Sequence, residues 1–102
     1  MSLMTKELKI TIPPLYSRET VKDPMVVCKF FLPTINWTWY VTEFDGDDVF
    51  YGFVVAQYKE LGYFKLSELE YLNGLYGCDV ERDVNFEPQK LSEVMRLHNH
   101  TL

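Results

Sequence analysis

The chain is predicted to adopt an α+β fold, a small antiparallel sheet of three to four strands with short helices packed on one face. Residues 25–32, residues 36–44 and Val49–Val55 are rich in the β-branched and aromatic residues that fill pleated surfaces. The connections between them are short, and short connections join only antiparallel neighbours. Helical periodicity is confined to brief segments. A length of 102 residues with 47% hydrophobic content suits one domain, residues 1–102, with one core.

The elements follow in order. Leu3, Met4, Leu8, Ile10 and Ile12, set among charges, permit either a short amphipathic helix capped by Thr5 or an extended arm, and Pro13-Pro14 ends it either way. Residues 16–24 are polar and breaker-flanked and read as a surface loop. The first strand, residues 25–32, closes at Pro33, and the second covers residues 36–44. Asp45-Gly46 is a hairpin signal, because Gly tolerates positive φ and Asp bonds its own backbone. Alternation puts Trp37, Trp39 and Val41 on one face of the second strand and Thr38, Tyr40, Thr42 and Phe44 on the other, so neither face is cleanly polar.

A helix is expected at Leu66–Tyr71, with Ser67 as N-cap, Glu70 as its capping-box partner and Leu66 with Tyr71 as a hydrophobic staple. Asn73-Gly74 ends it. A last helix over residues 90–98 buries Leu91, Val94, Met95 and Leu97 and places His98 at its C-terminal dipole. No internal repeat is expected.

Charge narrows the function classes. The formal charge is −5, and between Glu43 and Glu87 eleven acidic residues stand against three basic ones. Such a field disfavours direct nucleic-acid binding, which runs on Lys and Arg, and favours a basic protein partner. Two cysteines are too few for a disulfide framework, and no secretion signal or bilayer-length apolar run stands out, so a soluble cytoplasmic protein is expected, without a membrane partner. The glycosylation sequons at Asn36 and Asn99 are accordingly set aside.

The candidate contact residues are the acids Glu43, Asp45, Asp47, Asp48, Glu81 and Asp83, with Trp37 and Tyr40 as aromatic anchors. Spaced carboxylates imitate a phosphate row and fit an Arg- and Lys-lined channel. The hairpin acids miss the spacing of a calcium loop, so no metal, and no cofactor, is expected. Asp79, Glu81 and Asp83 alternate as on a strand and turn together. His98-Asn99-His100 lies at the chain end, where fraying rather than catalysis is expected. Cys28 and Cys78 lack the spacing of a zinc site. No catalytic residue is assigned.

The strings Asn36-Trp37-Thr38-Trp39-Tyr40, Glu43-Phe44-Asp45-Gly46, Glu60-Leu61-Gly62-Tyr63-Phe64 and Glu81-Arg82-Asp83 give the chain a close resemblance, from Pro13 to Val94, to the small bacterial DUF2958 family of domains of unknown function. The resemblance implies a setting on plasmids, conjugative elements and phages, and brings no catalytic residues. With the acidic surface and the lack of a catalytic constellation, that setting points to a non-enzymatic binding protein of mobile-element or phage origin, and the resemblance implies inhibition of a host nucleic-acid-targeting system, such as a CRISPR effector, as a candidate role. The alternatives are an accessory subunit of a plasmid-maintenance or conjugation complex, contacting through the apolar sheet, and a small metal-dependent enzyme using the same carboxylates.

Overall fold

The richest aromatic and β-branched run forms the middle of the sheet. In a computed structural model, which describes residues 3–101, the elements in chain order are α1 (Lys6–Thr11), β1 (Met25–Val26), β2 (Cys28–Leu32), β3 (Trp37–Phe44), β4 (Val49–Val55), β5 (Lys59–Lys65), α2 (Leu66–Tyr71), β6 (Glu81–Arg82), β7 (Gln89–Lys90) and α3 (Leu91–Leu97). Five strands form an antiparallel sheet in the order β5-β4-β3-β2-β6, and β1 pairs with β7 as a separate two-stranded ribbon. The α+β class and antiparallel meander stand, with more strands than the three to four expected. β5 escaped notice because Lys59, Glu60 and Gly62 blur its alternation.

A bulge in β3 sets the register on which the two faces depend. Val41 lies opposite Gly52 and Glu43 opposite Tyr51, which leaves Thr42 as the extra residue, its hydroxyl donating to the Tyr51 carbonyl at 3.1 Å. One added residue reverses the alternation beyond it. Phe44, expected beside Tyr40, therefore joins Trp39 and Val41, while Glu43 moves to the opposite face. The first expected strand is divided at Val27, level with the bulge. Val27 still donates to the Val41 carbonyl at 2.9 Å, but the chain before it leaves the sheet, and Met25–Val26 pairs with Gln89–Lys90.

The sheet buries both faces. On one, Phe30, Trp39, Val41, Phe44, Phe50 and Phe64 pack with Leu69 of α2 and with Leu3, Met4 and Ile12 around α1; the Phe44 and Phe50 rings stack at 4.4 Å. On the other, Tyr40 and Phe53 pack with Val26 and with Leu91, Val94 and Met95 of α3. The helices thus do not share one face: a sheet apolar on both sides needs cover on both. Leu97, expected in the core, is 72% exposed. The N-terminal segment takes the helical alternative, with Thr5 as N-cap accepting from the Leu8 N–H at 3.2 Å.

Two strand-to-helix junctions are built alike. Lys65-Leu66-Ser67-Glu68 and Lys90-Leu91-Ser92-Glu93 repeat four residues, and each lysine is an N-cap that makes no side-chain capping bond. The cap comes instead from a distant aspartate: Asp48 accepts from the Ser67 N–H and hydroxyl at 2.8 and 2.9 Å, and Asp23 from those of Ser92 at 2.8 and 2.6 Å. Leu66 N–H donates to the Asp48 carbonyl at 2.8 Å and Leu91 N–H to that of Pro24 at 2.9 Å. Each aspartate lies just before a strand, β4 or β1, that pairs with the strand leading into the helix. The expected capping box of Ser67 with Glu70 is corrected here: Ser67 sits inside the first turn, where its own N–H needs an acceptor.

Strand β4 crosses β3 at Gly52, where a Cβ would stand 1.8 Å from the Tyr40 carbonyl oxygen. Gly52→Ala must push apart the two central strands, and it should cost more than about 3 kcal/mol, the upper end for single substitutions. Chemical denaturation of the purified variant measures this; a midpoint close to the parent's would contradict the close approach.

Candidate functional site

The acids expected to form a contact surface are in large part engaged by the chain itself. Glu43 is 4% exposed, and its two carboxylate oxygens accept from the Tyr16 and Arg18 N–H groups, each at 2.9 Å. Tyr16 holds a φ of 67°, a left-handed conformation that bulky residues rarely adopt and that the Glu43 bond secures. One Asp45 oxygen accepts from Asp47, Asp48 and Val49 N–H groups at 2.8, 2.9 and 3.0 Å, closing the hairpin beside Gly46 at φ 89°. Desolvation works to raise the Asp45 pKa, but these backbone donors outweigh it and hold the carboxyl below its ordinary value. Asp48 caps α2. A surface role for Glu43 is thereby corrected, since it is buried, and Asp45 and Asp48 serve the backbone. Asp47 and Glu81 are exposed, and half-buried Asp83 accepts from Asn85 N–H at 3.0 Å and lies 3.8 Å from the Lys29 ammonium.

Tyr40 is also corrected as an anchor. It is 5% exposed, stacks on Phe53 at 6.2 Å, and its hydroxyl lies 2.7 Å from His98 Nε2. The chain end that holds His98 is tied down. Asn99, at φ 57°, donates to the Arg96 carbonyl and His100 N–H to that of Met95, both at 3.0 Å, a Schellman closure of α3. The expected fraying does not occur, because Asn99 takes the left-handed position that lets the chain end close back on α3. Burial, with Lys59 and Lys29 adding to it, holds the His98 imidazole below its ordinary pKa. Burial, with Asp83 adding to it, raises that of the Tyr40 phenol. Cys28 is buried, which pushes its thiol up to about 12 and leaves it unreactive.

What remains open to a partner is aromatic. Trp37, half-buried on β3, meets Trp39 edge-on at 6.5 Å and Tyr76 at 5.8 Å. Between these rings and α2 runs a groove of about 470 Å³, floored by Trp39 and Leu69 and walled by Glu68, Tyr71 and Leu72. Tyr71 is 77% exposed on its wall, and Leu75 and Tyr76, further along the chain, are 57% and 44% exposed. The excursion carrying them is held in place: Thr34 hydroxyl donates to the Tyr76 carbonyl at 2.9 Å, Val80 N–H to the Asn73 side chain at 3.0 Å, and Gly74 N–H to the Cys78 carbonyl at 3.0 Å. Residues 66–81 contain Glu68, Glu70, Asp79 and Glu81 and neither Lys nor Arg. Of the two expected anchors, Trp37 lies here. Tyr71, Leu75 and Tyr76 were missed, although a stretch with aromatics, two glycine turns and no periodicity to bury them carried the signal.

The arrangement defines a small α+β sheet protein with an open apolar groove, in which Glu43, Asp45 and Asp48 brace the backbone. The chain belongs to the family described as "Protein of unknown function (DUF2958)", whose profile matches residues 3–101. No curated protein and no solved structure matches it. Among the described residues no group of three or more His, Cys, Asp or Glu is placed to hold a metal ion, and no helix is long and apolar enough to cross a membrane.

Two outcomes test the bracing. Glu43→Ala releases the Tyr16 and Arg18 amides, so the loop should open and trypsin should cut after exposed Arg18 several-fold faster than in the parent. Timed digestion followed by mass spectrometry reads this, and an unchanged rate would contradict it. His98 has a lower pKa folded than unfolded, so the unfolded state binds its proton more readily. Its contribution is intact above the unfolded value of 6.5 and is lost as pH falls below it. The melting temperature should therefore fall between about pH 7 and 5, and His98→Gln should flatten that slope; an equal slope in both proteins would be the contrary result.

Proposed function

We propose that this is a non-enzymatic protein-binding module that acts by occupying a partner through the Trp37 groove. Its acidic surroundings select a partner segment carrying basic residues. The observation that supports this most is an apolar groove lined by Trp37, Leu69 and the exposed Tyr71, with exposed Tyr76 against the Trp37 ring, in a stretch with no Lys or Arg. Aromatic residues in a fixed frame lose little entropy on binding and dominate interface energetics, while bordering carboxylates speed encounter and choose the sign of the partner.

This reading moves the contact away from mimicry of a phosphate row by the hairpin acids, because Glu43, Asp45 and Asp48 are bound to backbone donors. Asp47, Glu81 and Asp83 stay in it as the outer negative field. The family's setting on mobile elements, as the resemblance implies it, makes a host nucleic-acid-targeting system the machine to be met, with a CRISPR effector as one such basic protein. The accessory-subunit alternative uses the same apolar contact and differs in its partner, a plasmid or conjugation protein.

Capture from host lysate with the parent protein and with a Trp37→Ala, Tyr76→Ser double variant, followed by affinity measurement on the recovered partner, tests the proposal. The variant should lose at least about tenfold in affinity, about 1.4 kcal/mol, while Asp47→Lys should change the salt dependence more than the affinity in high salt. Equal binding by the groove variant, or complete loss on Asp47→Lys alone, would return the contact to the acids.

A further inference from the structure

Strand β5 forms one margin of the sheet, hydrogen-bonded to β4 alone. The direction of its free groups follows from two bonds. Leu66 N–H reaches across to the Asp48 carbonyl at 2.8 Å, and Asp45 N–H takes the Val49 carbonyl at 2.9 Å on the opposite side of β4. Alternation from these points gives Glu60, Gly62 and Phe64 to the β4 ladder. The N–H and C=O groups of Lys59, Leu61, Tyr63 and Lys65 face outward. This is seven residues of uninterrupted, proline-free edge, about 20 Å long, and among the described residues no loop hydrogen bond closes it.

The side chains of those same four residues share a face. Leu61 is 36% and Tyr63 57% exposed, with the Tyr51 and Tyr16 rings beside Tyr63 at 4.9 and 6.2 Å. Lys59 and Lys65 stand at the two ends, in a chain of net charge −5; the Lys59 ammonium also donates to the His98 carbonyl at 2.6 Å and keeps two further N–H donors for an incoming carboxylate. Pairing with a second copy about Gly62 would bring Lys59 opposite the other Lys65 twice over, a like-charge arrangement that destabilises a ladder and is a familiar guard against self-pairing. The same two lysines would each meet an opposite charge if the incoming strand carried carboxylates six residues apart.

We propose that β5 is a docking edge for an extended segment of another protein with the pattern acid-x-apolar-x-apolar-x-acid. The segment adds a sixth strand to the sheet, its backbone pairing with the outward groups of β5, its apolar side chains lying over Leu61 and Tyr63 and its terminal acids meeting Lys59 and Lys65. The surface is independent of the Trp37 groove, so either stands if the other fails.

Selection of a displayed random peptide library on the intact protein provides the test, with sedimentation of the protein alone alongside it. Enriched peptides should alternate as stated with Asp or Glu at both ends. Leu61→Pro removes one outward N–H and leaves the β4 ladder intact, so those peptides should lose at least about tenfold in affinity. A Lys59→Glu, Lys65→Glu double variant, which keeps every backbone group, should select peptides with basic ends instead. Trp37→Ala should leave all of this unchanged. Failure to enrich the pattern, enriched peptides without terminal acids, binding that survives Leu61→Pro, or the same selection after double charge reversal would overturn the proposal. So would a dimer of the parent that Leu61→Pro dissociates, since the occupant would then be a second copy.

Discussion

Carboxylates that bind backbone N–H groups far away in sequence hold this protein in shape. Its helices have six, six and seven residues, too short to persist by their own hydrogen bonds. Asp48 and Asp23 fix the starts of α2 and α3 against strands that pair with the strand before each helix, Glu43 fixes the loop at Tyr16 and Arg18, and Asp45 fixes the hairpin from which Asp48 projects. These charge-assisted bonds satisfy donors that the ends of short elements leave unpaired. The Asp23 carboxyl is held below its ordinary pKa chiefly by the Ser92 hydroxyl and then by the Ser92 N–H, the electrostatic trace of such a clamp.

This changes the meaning of an acidic sequence. Net charge describes solubility and encounter, and it does not separate a carboxylate facing water from one that closes a turn. Glu43 shows the difference most sharply: the bulge at Thr42 rotates it onto the α3 face, where the loop of residues 16–20 meets it. No local pattern around Glu43 reports the bulge, because it arises from the pairing of β3 with β4, and so the reading of Glu43 as a surface acid was beyond correction at the level of sequence.

The local elements, by contrast, were legible. Thr5 before an amphipathic turn, Asp45-Gly46 between two strands, and the apolar spacing of Leu91, Val94 and Met95 each state their structure within a few residues, and each is found in place. Elements that depend on distant partners were hidden: β6 and β7 are two residues long and exist because β2 and β1 offer them an edge. The aromatic groove divides in the same way. Trp37 is visible in the sequence as a tryptophan on a strand, whereas Tyr71 and Tyr76 are not legible as its neighbours, because the long-range bond from Thr34 and the turn bonds of Asn73 and Gly74 hold that segment beside it.

The repeated Lys-Leu-Ser-Glu junction has a dynamic consequence. Its two copies lie on opposite faces of the sheet, each with a serine amide that donates to an aspartate outside its own helix. Opening of α2 exposes the Ser67 amide and opening of α3 the Ser92 amide, with the shared strands β3 and β4 untouched. The molecule therefore carries one hydrogen-exchange reporter on each layer, so that opening of the α2 side and of the α3 side can be read separately.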